Sequence, residues 1–557
     1  MPPGCPLRRF PYSPSQRLAQ ESDPFPGVLL RGAAVDDVVI ERQWNGFNAG
    51  AFTYVLTQYL WTALTPVTVG RALGQSQETL LRWGGSNQQP TASGNLNVDV
   101  SQLDSGHLDL STLAKTPPIY DTPLLSQTRG QGVIQTISAD GGTSATLWLG
   151  GFPPRVLAYL GPASVLSCRG RQLKLRSRDG LTGKAKLVAE ANVTPSQGDQ
   201  LPLGPLKSGD PIFEAVRSLP KSIDLVVALD SRLERIERVD ATSALSALAF
   251  VSSTSDTALP ADCLLAKPIM GRPETITASL RPHLGIAQQP ADAAAPTELP
   301  ENAGYGLFSL TRSLIPGTLT FQEEAIKPAI TRLTPKLRSL LALKMLRLSE
   351  NRASSQVPLR VSLEIIGPER KQLINRQTLE IEQRLAPSEQ GEFIPQISVG
   401  ERVRYRLFNQ GAQPLYYTLI NVDSRERLSA FCPVTDLSAI APGEIRSSED
   451  MAVMAQSAIA PGSSVAIPNA ELSWAIEAPP GPVETYVVGS IQPLTRTFNT
   501  LLTASVSSGS QRIDPLPEPL TLIEALLSDL SQDRSNSNTY NLNVTQWATL
   551  NFTYQTV

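Results

Sequence analysis

The sequence predicts a multidomain α+β protein: a partial α/β unit near the start, a central mixed α+β region and a C-terminal antiparallel β-sandwich. Three observations carry this prediction. Residues 28–61 pass from a short apolar run, through charges and glycines, into helical spacing. Several short segments after residue 357 alternate apolar and polar with the period of a half-buried strand. Proline, at 46 residues, clusters between the patterned stretches, as expected of modules joined by linkers.

Val28, Leu29 and Leu30 end at Gly32-Ala33-Ala34, which suits a buried strand leaving its sheet. Residues 36–43 carry charges around Val38-Val39-Ile40 and read as a surface crossing with a small apolar anchor. Gly46 and Gly50 bracket a turn. Phe52, Val55, Leu56, Tyr59 and Leu60 then fall on one helical face. A second helix is expected over 66–83, and the polar residues 86–140 read as a linker. Order returns with a strand over 145–151, a short helix opened by proline, and a hairpin over 172–188 turned by Arg178-Asp179-Gly180. Residues 211–219 are expected as a helix, 223–229 as a buried strand and 233–248 as the following helix. The segment rich in proline and alanine over 268–304 reads as a second linker.

Residues 307–349 form the most helical region, with Pro328 and Pro335 expected to break it into pieces. Its basic residues Lys336, Arg338, Lys344 and Arg347 fit either an anionic membrane surface or a docked helix with a core stripe. Residues 357–365 alternate cleanly and should pair near Leu379. Strands are further expected over 403–407, 415–422, 428–432, 464–467, 473–476, 484–490 and 546–557, with a helix over 520–530. The expected division is therefore 1–84 α/β unit, 85–144 linker, 145–262 mixed module, 263–304 linker, 305–390 helical region with hairpin, and 391–557 sandwich.

The stretch GAFTYVLTQYLW, behind a strand, Ala33-Ala34 and an acidic loop, resembles the later half of a caspase-family cysteine peptidase domain. It is similar to bacterial, mostly cyanobacterial, caspase-like proteins with long C-terminal extensions. Residues 147–166, 225–248, 305–310 and 546–557 look like pieces of those extensions. PLYYTLINVDS and PPGPVETYVVGS look like a β-sandwich module attached to bacterial signalling and peptidase proteins. The resemblance implies cysteine endopeptidase activity, with cleavage after basic residues in active relatives. It also implies a histidine and then a cysteine upstream of the strand matched by residues 28–34, the imidazole serving the attacking thiolate. Only Cys5 lies upstream here; His107 and His283 lie downstream. The dyad maps onto no residue, so no catalytic, cofactor or metal position is assigned. Two expectations stand: a non-peptidase relative, or a chain whose catalytic half lies before Met1. The alternative function is a non-catalytic scaffold that binds a protein or peptide through its sandwich.

Charge is nearly balanced, at net −3, which implies neither a nucleic-acid footprint nor an acidic tail. No apolar run reaches the roughly 18 to 20 residues of a membrane helix, and residues 1–27 lack the order of a secretory signal. Cys5, Cys168, Cys263 and Cys432 lie far apart without CxxC, which argues against a zinc site and fits a reducing cytoplasm. Asp230 and Asp240 read as paired acids or as a cap and a surface charge. Arg402, Arg404 and Arg406 on one strand face read as an anion site or a solvated face. There is no P-loop, GxGxxG, HExxH or GxSxG.

Overall fold

The computed structural model describes residues 29–33, 39, 41–44, 47–62, 69–84, 88–93, 130–138, 143–188, 205–254, 261–268, 304–310, 312–320, 322–367, 371–378, 394–433, 458–469, 471–504, 513–531 and 538–557. Among these it is a mixed α+β protein. Cys5, His107 and His283 lie outside the described residues, as do 94–129 and 269–303 of the two expected linkers.

The first unit contains β1 (Leu29–Arg31), the hairpin β2 (Glu41–Trp44) and β3 (Phe47–Gly50), α1 (Ala51–Thr62), α2 (Val69–Gly84) and β4 (Thr91–Ser93). β1 pairs antiparallel with β4. β2 occupies the end of the charged crossing expected over 36–43, and its Trp44 stands against Tyr54 with ring centroids 4.9 Å apart. Trp44 is thus an anchor that the charge pattern hid. Phe52, Val55, Leu73 and Leu80 close the core between the two helices.

The second body is a closed barrel. Its strands are β5 (Gly132–Ile137), β6 (Ser144–Trp148), β7 (Val165–Cys168), β8 (Arg171–Asp179), β9 (Thr182–Leu187) and β10 (Pro211–Pro220), with α3 (Pro154–Tyr159) between β6 and β7. The order is β10-β5-β6-β9-β8-β7, and β7 returns to β10, so no strand of the ring is left with an open edge. The β8–β9 turn holds Gly180 at φ +55°, a conformation cheap only for glycine. The interior is filled by Leu147, Leu149, Phe152, Leu166, Leu173, Leu175 and Ile212.

Two sequence expectations fail in this barrel. β10 is a strand where 211–219 was expected to be a helix. Ile212, Phe213, Val216 and Leu219 have helix-like spacing only because a bulge between Glu214 and Val216 shifts the register and breaks the alternation. β5 lies inside the expected linker 85–144, its pattern obscured by exposed Gln135 and Thr136 and by a register shift after Ile134.

The third body is a four-stranded sheet in the order β12-β11-β13-β14: β12 (Val251–Thr254), β11 (Leu225–Leu229), β13 (Cys263–Ala266) and β14 (Gly306–Phe308). β12 and β13 both run parallel to β11, and α4 (Arg235–Ser246) makes the crossover from β11 to β12. β13 occupies the start of the expected linker 263–304; CLLA is too short a run to announce a strand, yet all four residues are buried. α5 (Ile326–Leu348) is one continuous helix and is not broken at the prolines. Pro328 stands in the first turn, where its missing N–H costs nothing. Pro335 faces solvent, where water can take the freed carbonyl.

The sandwich has one sheet ordered β16 (Lys371–Gln377), β15 (Leu359–Ile365), β18 (Arg402–Asn409) and β21 (Ser464–Ile467), with β22 (Trp474–Ala475) also on β18. The other is ordered β17 (Gln396–Ile397), β26 (Trp547–Thr556), β23 (Gly481–Ser490), β19 (Tyr416–Val422), β20 (Leu428–Phe431) and β24 (Asp514–Pro515). The sandwich therefore begins at Leu359, upstream of the expected boundary at 391. Its second sheet is a middle layer. One face meets the first sheet through Leu419, Val487, Leu550 and Phe552. The other carries Ile420, Tyr486, Val488 and Trp547 into a core shared with α5, α6 (Thr495–Thr503), α7 (Pro519–Leu530), β25 (Thr539–Asn543) and the parallel sheet. The second half of β10 pairs with β25, which ties the barrel to this layer.

Candidate binding site at the carboxyl end of the parallel strands

β11 reads LVVAL, an apolar run covered on both faces as parallel strands require. Its crossover helix leads to β12 on one side, while β13 lies on the other. Where successive parallel neighbours lie on opposite flanks, the loops beyond their carboxyl ends part and leave a crevice. Asp230 is the first residue past β11, and Lys267 the first past β13.

Asp230 is buried, and its charge is met from several directions. Arg312 bonds it bidentately, Nη1 to Oδ2 at 2.7 Å and Nη2 to Oδ1 at 3.0 Å. The Arg232 backbone N–H donates to Oδ1 at 3.1 Å, and the Arg232 guanidinium lies 3.2 Å from Oδ2. Arg312 sits at φ +66° in a turn where its N–H donates to the Ser309 carbonyl and Ser309 Oγ accepts the Ser313 N–H. Such a conformation in a non-glycine residue is costly, and the bidentate pair stabilises it.

Glu237 occupies the third position of α4 and forms a reciprocal capping box with Glu234. Its Oε1 accepts the Tyr305 hydroxyl at 2.5 Å and Lys267 Nζ at 2.7 Å. The Lys267 ammonium also stands 4.9 Å from the Tyr305 ring centroid. Burial acts to raise the Glu237 pKa, but the bonds from Lys267, Tyr305 and the Glu234 N–H together hold it below the usual carboxylate range. Burial, and then the neighbouring Glu237 carboxylate, push the Tyr305 phenol above its usual range. The rim therefore presents an ionised carboxylate, a phenol that keeps its proton, and two half-exposed cations, Lys267 and Arg232. These are groups that hold and orient a polar ligand; none is an activated nucleophile.

Of the sequence candidates, Asp230 belongs to this rim and Asp240 does not. Asp240 stands on the exposed side of α4, 3.2 Å from Lys327. The three strand arginines are not one exposed face. Arg402 is exposed and reaches Ser473, Arg404 is buried against the Leu472 carbonyl at 2.6 Å, and Arg406 pairs with Glu364 at 3.2 Å. Of the basic residues singled out on α5, Lys336, Lys344 and Arg347 turn inward to protein partners, while Arg338 stays exposed on the helix flank. Lys344 meets Asp262 and the Asp224 carbonyl, Lys336 meets the Arg425 and Glu426 carbonyls, Arg347 meets Glu484, and Arg338 lies 5.6 Å from the Phe250 ring. This is the docked helix, and no helix among the described residues is long and apolar enough to cross a membrane. Also among the described residues, no group of three or more His, Cys, Asp or Glu could hold a metal ion. Sequence reasoning missed Lys267, Tyr305 and Arg312. Lys267 was legible in principle, as the first polar residue after the apolar CLLA.

No protein-family model, curated protein or solved structure matches this chain.

Proposed function

We propose that this chain is a caspase-like protein that serves proteolysis as a partner-binding body, without cutting peptide bonds through its own described residues. The observation that carries this reading is where the thiols lie. Cys168, Cys263 and Cys432 are buried in cores. Burial, and then the adjacent Asp262, push the Cys263 thiol far up. A catalytic thiolate needs the reverse, a partly exposed and electropositive setting. Family membership is supported by the resemblance of residues 28–61. The binding role is supported by the rim of Asp230, Arg232, Glu237, Lys267 and Tyr305, whose charges suit a protein or peptide segment. Four cysteines far apart in the sequence, without CxxC, favour a reducing cytoplasm as the place of action.

The test is hydrolysis of fluorogenic peptides ending in arginine or lysine by the purified, reduced chain. No turnover above buffer is expected. Turnover that disappears in Cys5→Ala overturns the reading and makes the chain a peptidase.

A further inference from the structure

Away from the sheet-end rim, three arginines from three helices converge on the middle layer of the sandwich. Arg82 comes from the last turn of α2, Arg155 from α3 and Arg347 from the last turn of α5. Two carboxylates answer them. Glu350 Oε2 accepts Arg82 Nη1 at 2.7 Å. Glu484, on β23, accepts both Arg347 and the Tyr486 hydroxyl, with Arg347 Nε at 3.2 Å from Oε2. Nearby Asp262 is taken by Lys344 at 2.7 Å. Glu78 is taken by Arg376 at 2.6 Å. Among the described residues, one guanidinium is left in excess, and it is Arg155. Its bond in the structure is from Nη2 to the Arg82 carbonyl, at 3.3 Å.

A guanidinium has five donors in a fixed fork. Arg155 uses one of them on a neutral oxygen while standing half-buried beside another cation. Arg82 has an unused donor as well: its Nε is buried without a bond. Two forks from neighbouring helices therefore hold spare, partly desolvated donors in a cluster of net positive charge. Burial, and then the charge of Arg347, pull the Arg155 pKa down to about 9 against the opposing charges of Asp262 and Glu484.

We propose that the junction of α2, α3 and α5 binds a carboxylate, seated on Arg155 and the free edge of Arg82. The class follows from the charge and the donors. One excess positive charge is neutralised by one monoanion, and a planar carboxylate accepts a planar fork bidentately. A phosphate dianion would carry more negative charge than the cluster has positive charge in excess. The carboxylate comes from a peptide C-terminus or from a small organic acid. Neither Asp230 nor Glu237 takes part, so this site stands or falls apart from the sheet-end rim.

The experiment titrates the full chain with N-acetyl-trialanine as free acid and as amide, with acetate, and with inorganic phosphate. The readouts are calorimetry and the shift in melting temperature. The free acid is expected to bind at least tenfold tighter than the amide, and Arg155→Gln is expected to lose at least tenfold in affinity, with Arg155→Lys recovering part of it. Peptide acid binding well above acetate assigns a peptide terminus; equal binding assigns a small acid. Equal binding of acid and amide, no binding of either carboxylate, phosphate binding tenfold tighter than both, or undiminished binding by a folded Arg155→Gln overturns the proposal. If Arg155→Gln does not fold, the acid and amide pair on the unaltered chain decides.

Discussion

The inside of the sandwich and the border along α5 are both buried, yet they are built from opposite materials. Between the two sheets, Val361, Leu407, Leu419, Val487, Leu550 and Phe552 pack with Tyr405, whose ring meets Phe552 edge-on at 5.6 Å. The Tyr405 hydroxyl finds Thr485 Oγ1 at 2.8 Å, so little polarity is left to match. Along the border, Arg217 and Glu214 form an ion pair at 2.6 Å with side chains only 2 % and 1 % exposed. Arg217 also donates to the Leu348 carbonyl at 2.6 Å and the Glu350 carbonyl at 2.8 Å. Ser354 Oγ donates to Glu214, and Arg82, Arg347 and Arg376 close further pairs around it. Apolar burial stabilises through area and tolerates small shifts. A buried ion pair contributes little over a hydrophobic replacement, but breaking one is costly. The border pairs therefore set where barrel, helices and sandwich sit relative to one another, while the dry interior supplies most of the stability.

That contrast can be broken in order of size. Phe552→Ala removes a large, fully buried ring from the interior and should cost about 3–5 kcal/mol in urea unfolding, with no dependence on pH. A loss below about 1 kcal/mol would show that the interior is not the stabilising layer. Glu484→Gln at the border should cost about 3 kcal/mol at neutral pH, because Arg347 is left buried without its counter-charge.

The same substitution should flatten the acid limb of stability. Burial acts to raise the Glu484 pKa, but Arg347 and its bonds, with Arg82 and Tyr486, hold it below the usual carboxylate range. A folded pKa below the unfolded one contributes stability above the unfolded value, and that stability is lost as pH falls through the folded value. The unaltered chain should therefore lose stability more steeply between pH 5 and acid than Glu484→Gln; equal slopes would remove the electrostatic account of the border. The smallest effect is expected from Arg406→Ala, whose pair with Glu364 is partly solvated on the outer sheet face. It should cost less than about 1 kcal/mol and fade with salt.

The sandwich was the most legible part of the sequence. Val357–Ile365 spacing, Val403, Tyr405 and Leu407, and the alternation after Gln546 all appear as strands, because one dry face forces a period of two. Three errors have three local causes. β10 looked helical because a bulge interrupts its alternation, β5 looked like linker because its exposed residues dominate a short strand, and the prolines of α5 looked like breaks because the sequence does not say which side faces water. The candidate sites were less legible. Asp230 was visible as an acid after an apolar run, but its partner Arg312 stands in a turn whose left-handed residue carries no glycine to mark it.

By itself the sequence determined the periodicities: which segments could be strands and which could be amphipathic helices. These follow from backbone geometry, which repeats every two or 3.6 residues wherever the chain goes. Only the tertiary structure decided that six strands close into a barrel, that one sheet is a middle layer, and which charges meet. Arg217 reaches Glu214 three residues away but also the carbonyl of Leu348, and Arg155 stands beside Arg347 and Arg82 without a carboxylate of its own among the described residues. Charge pairing depends on distance through space, and that distance is set only when all the layers have packed.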